Sequence, residues 1–81
     1  MRRQFHRGQT LFRQGDPSDG AMRVITGFIE VLREVGDDAI VLGTVQPGEF
    51  VGEMGVIEDR PRSATARAAT DVEVEVIDPG E

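Results

Sequence analysis

The sequence predicts an all-β domain, a sandwich or barrel of short strands, on three observations. Apolar runs of four to seven residues recur along the 81 residues, punctuated by turn residues at the roughly 8–12-position spacing of such folds. Each run is too short to hold as a free-standing helix. Val72, Val74 and Val76 alternate with Glu73 and Glu75, the period-two pattern of a half-buried strand.

In chain order, Thr10–Gln14 is the first run, closed by the cluster Gly15-Asp16-Pro17-Ser18-Asp19-Gly20, residue types that each favour turns. Met22–Thr26 ends at Gly27, and Phe28–Glu34 ends at Gly36-Asp37-Asp38. Ile40–Val45 stops at Pro47-Gly48, and Val72–Val76 is the last run. A helix can start at one place, after Gly52. Glu53 suits the positive end of a helix dipole, and Asp59-Arg60-Pro61 would end the helix after about one turn. A single helical turn interrupting a strand framework is where function tends to sit.

Composition removes several functional classes. The length allows one domain with a modest core. No apolar run approaches the ~20 residues of a membrane span, and no signal segment opens the chain. Cysteine is absent, which excludes disulfides and thiolate metal sites and fits a cytoplasmic setting. Net charge is −6 but uneven: six Arg and four acids in residues 1–35, three Arg and eleven acids in 36–81. An acidic surface repels polyphosphate, so nucleic acid is not an expected partner, nor is a membrane. The one histidine, His6, cannot supply a multi-histidine metal centre or, without cysteine, a nucleophile–His set. His6 is read as a surface or strand residue, the Met and Phe residues, Phe50 included, as core, and no catalytic residue is assigned.

The most informative stretch is 52–65, Gly-Glu-Met-Gly-Val-Ile-Glu-Asp-Arg-Pro-Arg-Ser-Ala-Thr. Glu53 opens it beside glycines. Nine positions on, Arg62 stands next to Ser63 and Thr65. Convergent N–H groups at a helix start favour an anion, and a guanidinium fork matches phosphate oxygens. A carboxylate only accepts hydrogen bonds, so Glu53 suits a hydroxyl donor. Together these groups suit a small ligand bearing a ribose hydroxyl and a phosphate. Plainer readings stand beside this one: Glu53 as a helix-dipole acid, Gly52 and Gly55 as turn glycines, Ser63 as an ordinary strand serine. Arg60 and Arg67 are read as solvated surface residues.

Gly8, Leu11, Gln14-Gly15-Asp16, Gly27 and Pro47-Gly48-Glu49-Phe50 precede that stretch in order. With Gly52-Glu53-Met54 and Arg62-Ser63-Ala64-Thr65 they make the chain, from about Phe5 to Ile77, resemble the cyclic nucleotide-binding domain family. The resemblance implies a double-stranded β-helix, a jelly-roll-like β-roll, with one short helix in a phosphate-binding cassette. It implies that Arg62 binds the cyclic phosphate and Glu53 the ribose 2′-hydroxyl, that backbone amides at Gly52, Met54, Ser63 and Ala64 complete the cradle, and that Val31 and Gly43 line the base pocket. The implied ligand is cAMP or cGMP, with no further cofactor.

The chain departs from that family in two ways. Members flank the roll with helices, including a lid over the base, and residues 1–81 read as a single roll without them; an oligomer or a missing partner domain is therefore expected. Val51 separates Phe50 from Gly52 where many relatives place an aromatic, and Gly55 stands where alanine is common. The competing function is a degenerate roll kept for oligomerisation, with the pocket unused.

Overall fold

Alternating side chains fix which face of each strand turns inward. In the computed structural model, residues 1–18, 20–53 and 60–77 are described, and within them the chain forms strands β1 (Arg2–Phe5), β2 (Thr10–Phe12), β3 (Ala21–Thr26), β4 (Ile29–Val35), β5 (Asp38–Val45), β6 (Phe50–Val51), β7 (Thr65–Ala68) and β8 (Val72–Ile77). Two four-stranded sheets result, in the orders β1-β8-β3-β6 and β2-β7-β4-β5. Every strand pairing is antiparallel.

The connectivity is that of one long hairpin rolled on itself. β4 pairs with β5 through the two-residue turn Gly36-Asp37, where Val35 faces Asp38. Gly36 takes φ +60°, the left-handed conformation such turns favour. Outward from that turn, β3 pairs with β6, β2 with β7 and β1 with β8. This nesting is the jelly-roll form of the expected β-roll. Of the expected helix, Glu53 is helical; the rest of it, with Met54, lies outside the described residues.

The five strands expected from the sequence match β2, β3, β4, β5 and β8 with ends shifted by at most two residues, and three more exist among the described residues. β1 escapes an apolar-pattern reading because Arg2, Arg3 and Gln4 are exposed and only Phe5 is buried. Its Arg2 meets Glu73 at 3.9 Å and Glu75 at 3.6 Å on the outer face of β8. β7 reads Thr-Ala-Arg-Ala, low in β propensity, yet it is buried between β2 and β4. β6 has only two residues.

Between the sheets lie Val24, Val74, Ile29, Ala66, Ala68, Val72, Val51, Met22 and Phe5. Three large apolar residues expected in the core are not there. Phe28, Phe50 and Met1 are exposed. Phe50 sits opposite the exposed Arg23, while its neighbour Val51 faces the buried Met22, so alternation turns Phe50 outward. Phe28 lies in the β3–β4 turn, its N–H donating to Thr70 Oγ1 at 3.1 Å. There Gly27 is obligatory: at φ +83° its missing Cβ would overlap the Asp71 carbonyl and crowd Thr70 and Val72.

Ile29 is fully buried, on the inner face of β4. Ile29→Ala is expected to cost about 2–5 kcal/mol through lost burial and a residual cavity. That is a large part of the roughly 5–15 kcal/mol holding a small domain together. A drop in urea midpoint without a change of slope would show it.

Candidate functional site

Arg62 is buried, with 4% of its surface exposed, and the chain provides for its charge. Its backbone is clamped by the turn after β2: Gly15 N–H donates to the Arg62 carbonyl at 2.8 Å, and Arg62 N–H donates to the Asp16 carbonyl at 2.8 Å. Its guanidinium stacks on Phe12, 4.1 Å from the ring centre, a cation–π contact that strengthens when water is excluded. Nη1 donates to the Gly52 carbonyl at 2.7 Å, and Nη2 donates to the Gly20 carbonyl. Two of the five N–H donors of the fork thus go to carbonyls at the start of the cassette and just before β3.

These contacts dictate the residue at 52. Gly52 takes φ +83°, and a Cβ there would overlap Arg62 Nη1 and crowd the Phe12 ring. Its absence admits the guanidinium against the backbone. Turn conformation and close approach are therefore both requirements at this one glycine.

A hollow of about 240 Å³ opens beside this arrangement, lined by Phe12, Val31, Val45, Phe50, Val51, Gly52, Glu53, Arg62, Ser63 and Ala64. Of the residues expected at the site, Gly52, Glu53, Arg62, Ser63, Ala64 and Val31 thus meet around one cavity, although Val31 stands 31 positions before Arg62. Gly43 does not line it; it lies across from Val31 in β5, exposed. Met54 lies outside the described residues. Phe12, Val45, Phe50 and Val51 are lining residues that sequence reasoning did not assign. The signal for Val45 is its position opposite Ile29, which becomes available only once the β4–β5 register is known.

The hollow is chemically divided. Glu53, Arg62 and Ser63 supply its polar side chains, and the remaining named side chains are apolar or absent. Ser63 is exposed and Glu53 half-buried. Arg67 stands apart, meeting Glu30 at 3.5 Å across β7 and β4, and His6 is exposed, 3.9 Å from Asp71. Among the described residues no group of three His, Cys, Asp or Glu is placed to hold a metal ion, and no helix is long and apolar enough to cross a membrane.

Known proteins share this sequence pattern and fold. Residues 2–81 match the family model described as the cyclic nucleotide-binding domain. The acetyltransferase Pat of Mycolicibacterium smegmatis is 38% identical over 65 residues, which is 80% of this chain and 20% of Pat. The CRP-like protein Clp of Xanthomonas campestris pv. campestris is 40% identical over 75 residues, 90% of this chain and 33% of Clp. A solved structure of Clp, described as a c-di-GMP responsive global regulator, superposes with TM-score 0.91 at 38% identity, covering 99% of this chain and 40% of that one. The EAL enzyme Bd1971 in its cAMP-bound form superposes with TM-score 0.94 at 29% identity, covering 98% of this chain and 22% of that one. Its cGMP-bound form gives 0.95 at 29% identity, covering 99% and 22%. The chain spans between a fifth and a third of the two curated relatives named.

Proposed function

The chain belongs to the cyclic nucleotide-binding domain family, and from that premise we propose that its hollow binds one cyclic mononucleotide, cAMP in preference to cGMP. The single observation that carries this reading is the convergence of Gly52, Glu53, Arg62, Ser63 and Ala64 on one small cavity. Arg62 and the amides of Gly52, Ser63 and Ala64 take the cyclic phosphate, together with Met54. Glu53 accepts from the ribose 2′-hydroxyl, the one hydroxyl that the cyclic ester leaves free on the sugar.

The rest of the lining supports the choice of base. Phe12, Val31, Val45, Phe50 and Val51 present apolar surface. Burying an unpaired polar group costs on the order of 1–3 kcal/mol, and guanine carries more polar edge groups than adenine. The role is that of a regulatory input rather than an enzyme, and the exposed Ile40, Val41 and Leu42 of β5 are the surface for a second copy or a partner domain.

Titration of the chain with cAMP, cGMP and 2′-deoxy-cAMP tests the reading. Wild type should prefer cAMP over its 2′-deoxy analogue by roughly ten- to a hundredfold, the worth of a hydrogen bond to a charged group. Glu53→Gln should shrink that ratio while leaving the thermal midpoint of the free protein in place. Equal binding of the two ligands by wild type would remove Glu53 from the role.

The second reading, an oligomerisation scaffold with an unused pocket, has one observation in its favour: the contacts to Gly20, Gly52 and Phe12 already give Arg62 a structural task. A thermal midpoint unmoved by millimolar cyclic nucleotide would favour it, since a ligand of the folded state raises stability by RT ln(1 + [L]/Kd).

A further inference from the structure

The turn that clamps Arg62 is also tied to the β4–β5 hairpin, directly through the Gln14 side chain and indirectly through Thr65. Gln14 receives the Glu34 N–H on Oε1 at 2.9 Å and donates from Nε2 to the Glu34 carbonyl at 3.4 Å. β7 stops pairing with β4 at Leu32–Thr65, two residues short of Glu34. The primary amide of Gln14 therefore does for Glu34 what the next peptide of β7 would do in a longer sheet. Gln14 N–H donates to Thr65 Oγ1 at 3.0 Å, and Thr65 Oγ1 donates to a Glu34 carboxylate oxygen at 3.2 Å. Thr65 is buried, so the two bonds at its hydroxyl are partly sheltered from water, while the two made by the Gln14 amide are exposed.

On its other side the same turn is closed by its own hydrogen bonds. Asp16 N–H donates to the Arg13 carbonyl and Arg13 N–H donates to Asp16 Oδ2, both at 3.0 Å. Gly15 and Asp16 then hold both backbone groups of Arg62. Segment 62–65 is thus fixed at Arg62 by residues 15 and 16 and at Thr65 by residue 14. One four-residue turn sets where the arginine starts and how β7 leaves it.

We propose that Gln14 is a positioning residue for the anion site, holding Arg62 in place by fastening its clamp to the end of β4, and that occupancy of the site is consequently felt at the β4–β5 hairpin. This rests on the proposed binding of a cyclic nucleotide at Arg62. Coupling of this kind is reciprocal, so whatever orders the hairpin tightens the site. The hairpin carries Val35, Ile40, Val41 and Leu42, four of the seven exposed large hydrophobics among the described residues, which makes it a surface on which such a change has a reader.

The test uses Gln14→Met, which keeps the shape and removes both side-chain bonds, with cAMP titration and amide exchange by NMR. In wild type, cAMP should slow exchange across residues 33–40. In Gln14→Met, Kd should rise about two- to tenfold, the worth of one or two modest hydrogen bonds, and the slowing at 33–40 should vanish while protection in β3 and β8 stays. An unchanged Kd with unchanged slowing would overturn the proposal and leave the binding reading intact. A raised Kd with the slowing still present would overturn it too, because Gln14 would then act without the hairpin. A wild type that does not titrate at all sinks the binding reading and this proposal together, a result recognisable because the unmutated chain is itself silent.

Discussion

Arg62→Ala is expected to abolish measurable cyclic nucleotide binding and to lower the stability of the free protein in the same step. The two losses have separate causes. Removing the guanidinium takes away a charge that the site holds with 4% exposure. Truncating one partner of a buried charged pair costs about 2–5 kcal/mol, or roughly thirty- to several-thousand-fold in Kd. The stability loss comes from the groups left behind. The carbonyls of Gly20 and Gly52 lose their Arg62 donors; an unsatisfied buried acceptor such as that of Gly20 costs on the order of 1–3 kcal/mol, and the half-buried Gly52 carbonyl less. Phe12 loses the group stacked on it. Calorimetric titration should therefore place Arg62→Ala below Glu53→Gln, which forfeits a hydrogen bond but no buried charge. Arg62→Lys separates charge from geometry: an ammonium keeps the charge and lacks the planar fork, so it should regain little of either quantity. Wild-type affinity in Arg62→Ala would remove the arginine from the site.

Arg62 and its surroundings show what the sequence made legible. The cassette is local, since Gly52, Glu53, Arg62, Ser63 and Ala64 lie within thirteen positions, and chemistry read along the chain was enough to group them. Strands with clean alternation were legible for the same reason, as with Val72–Val76. The rest depends on partners far away in the sequence. β1 exists because it pairs with β8 and buries Phe5 opposite Val72, and β7 because two other strands enclose its alanines. Phe50 read as core from hydrophobicity alone. Its face was decided by pairing with Arg23, which no local rule contains. Phe12 and Gly20 were invisible as Arg62's supports because each lies more than forty positions before it.

The Gly52→Ala substitution should damage binding as severely as changing a ligand-contacting side chain, although it adds only a methyl group. Two costs act there. The backbone sits at φ +83°, a left-handed conformation worth about 1–2 kcal/mol against any residue with a Cβ. The added carbon would also overlap Arg62 Nη1, lie 3.1 Å from Arg62 Cζ and meet a Phe12 ring carbon at 3.2 Å. The guanidinium must then leave the Gly52 carbonyl, to which Nη1 donates at 2.7 Å. Gly48 supplies the control. It has φ +90° and no heavy atom within 4 Å of its would-be Cβ, so Gly48→Ala meets the conformational cost alone. Both variants should lose a similar increment of stability from backbone strain, and Gly52→Ala a further one from displacement. Their cAMP affinities should diverge, near wild type for Gly48→Ala and reduced by at least tenfold for Gly52→Ala, given that tenfold corresponds to only about 1.4 kcal/mol. If the two variants bind cAMP equally well, close packing of Arg62 on the Gly52 backbone has no part in recognition, and the glycine is a turn residue and nothing more.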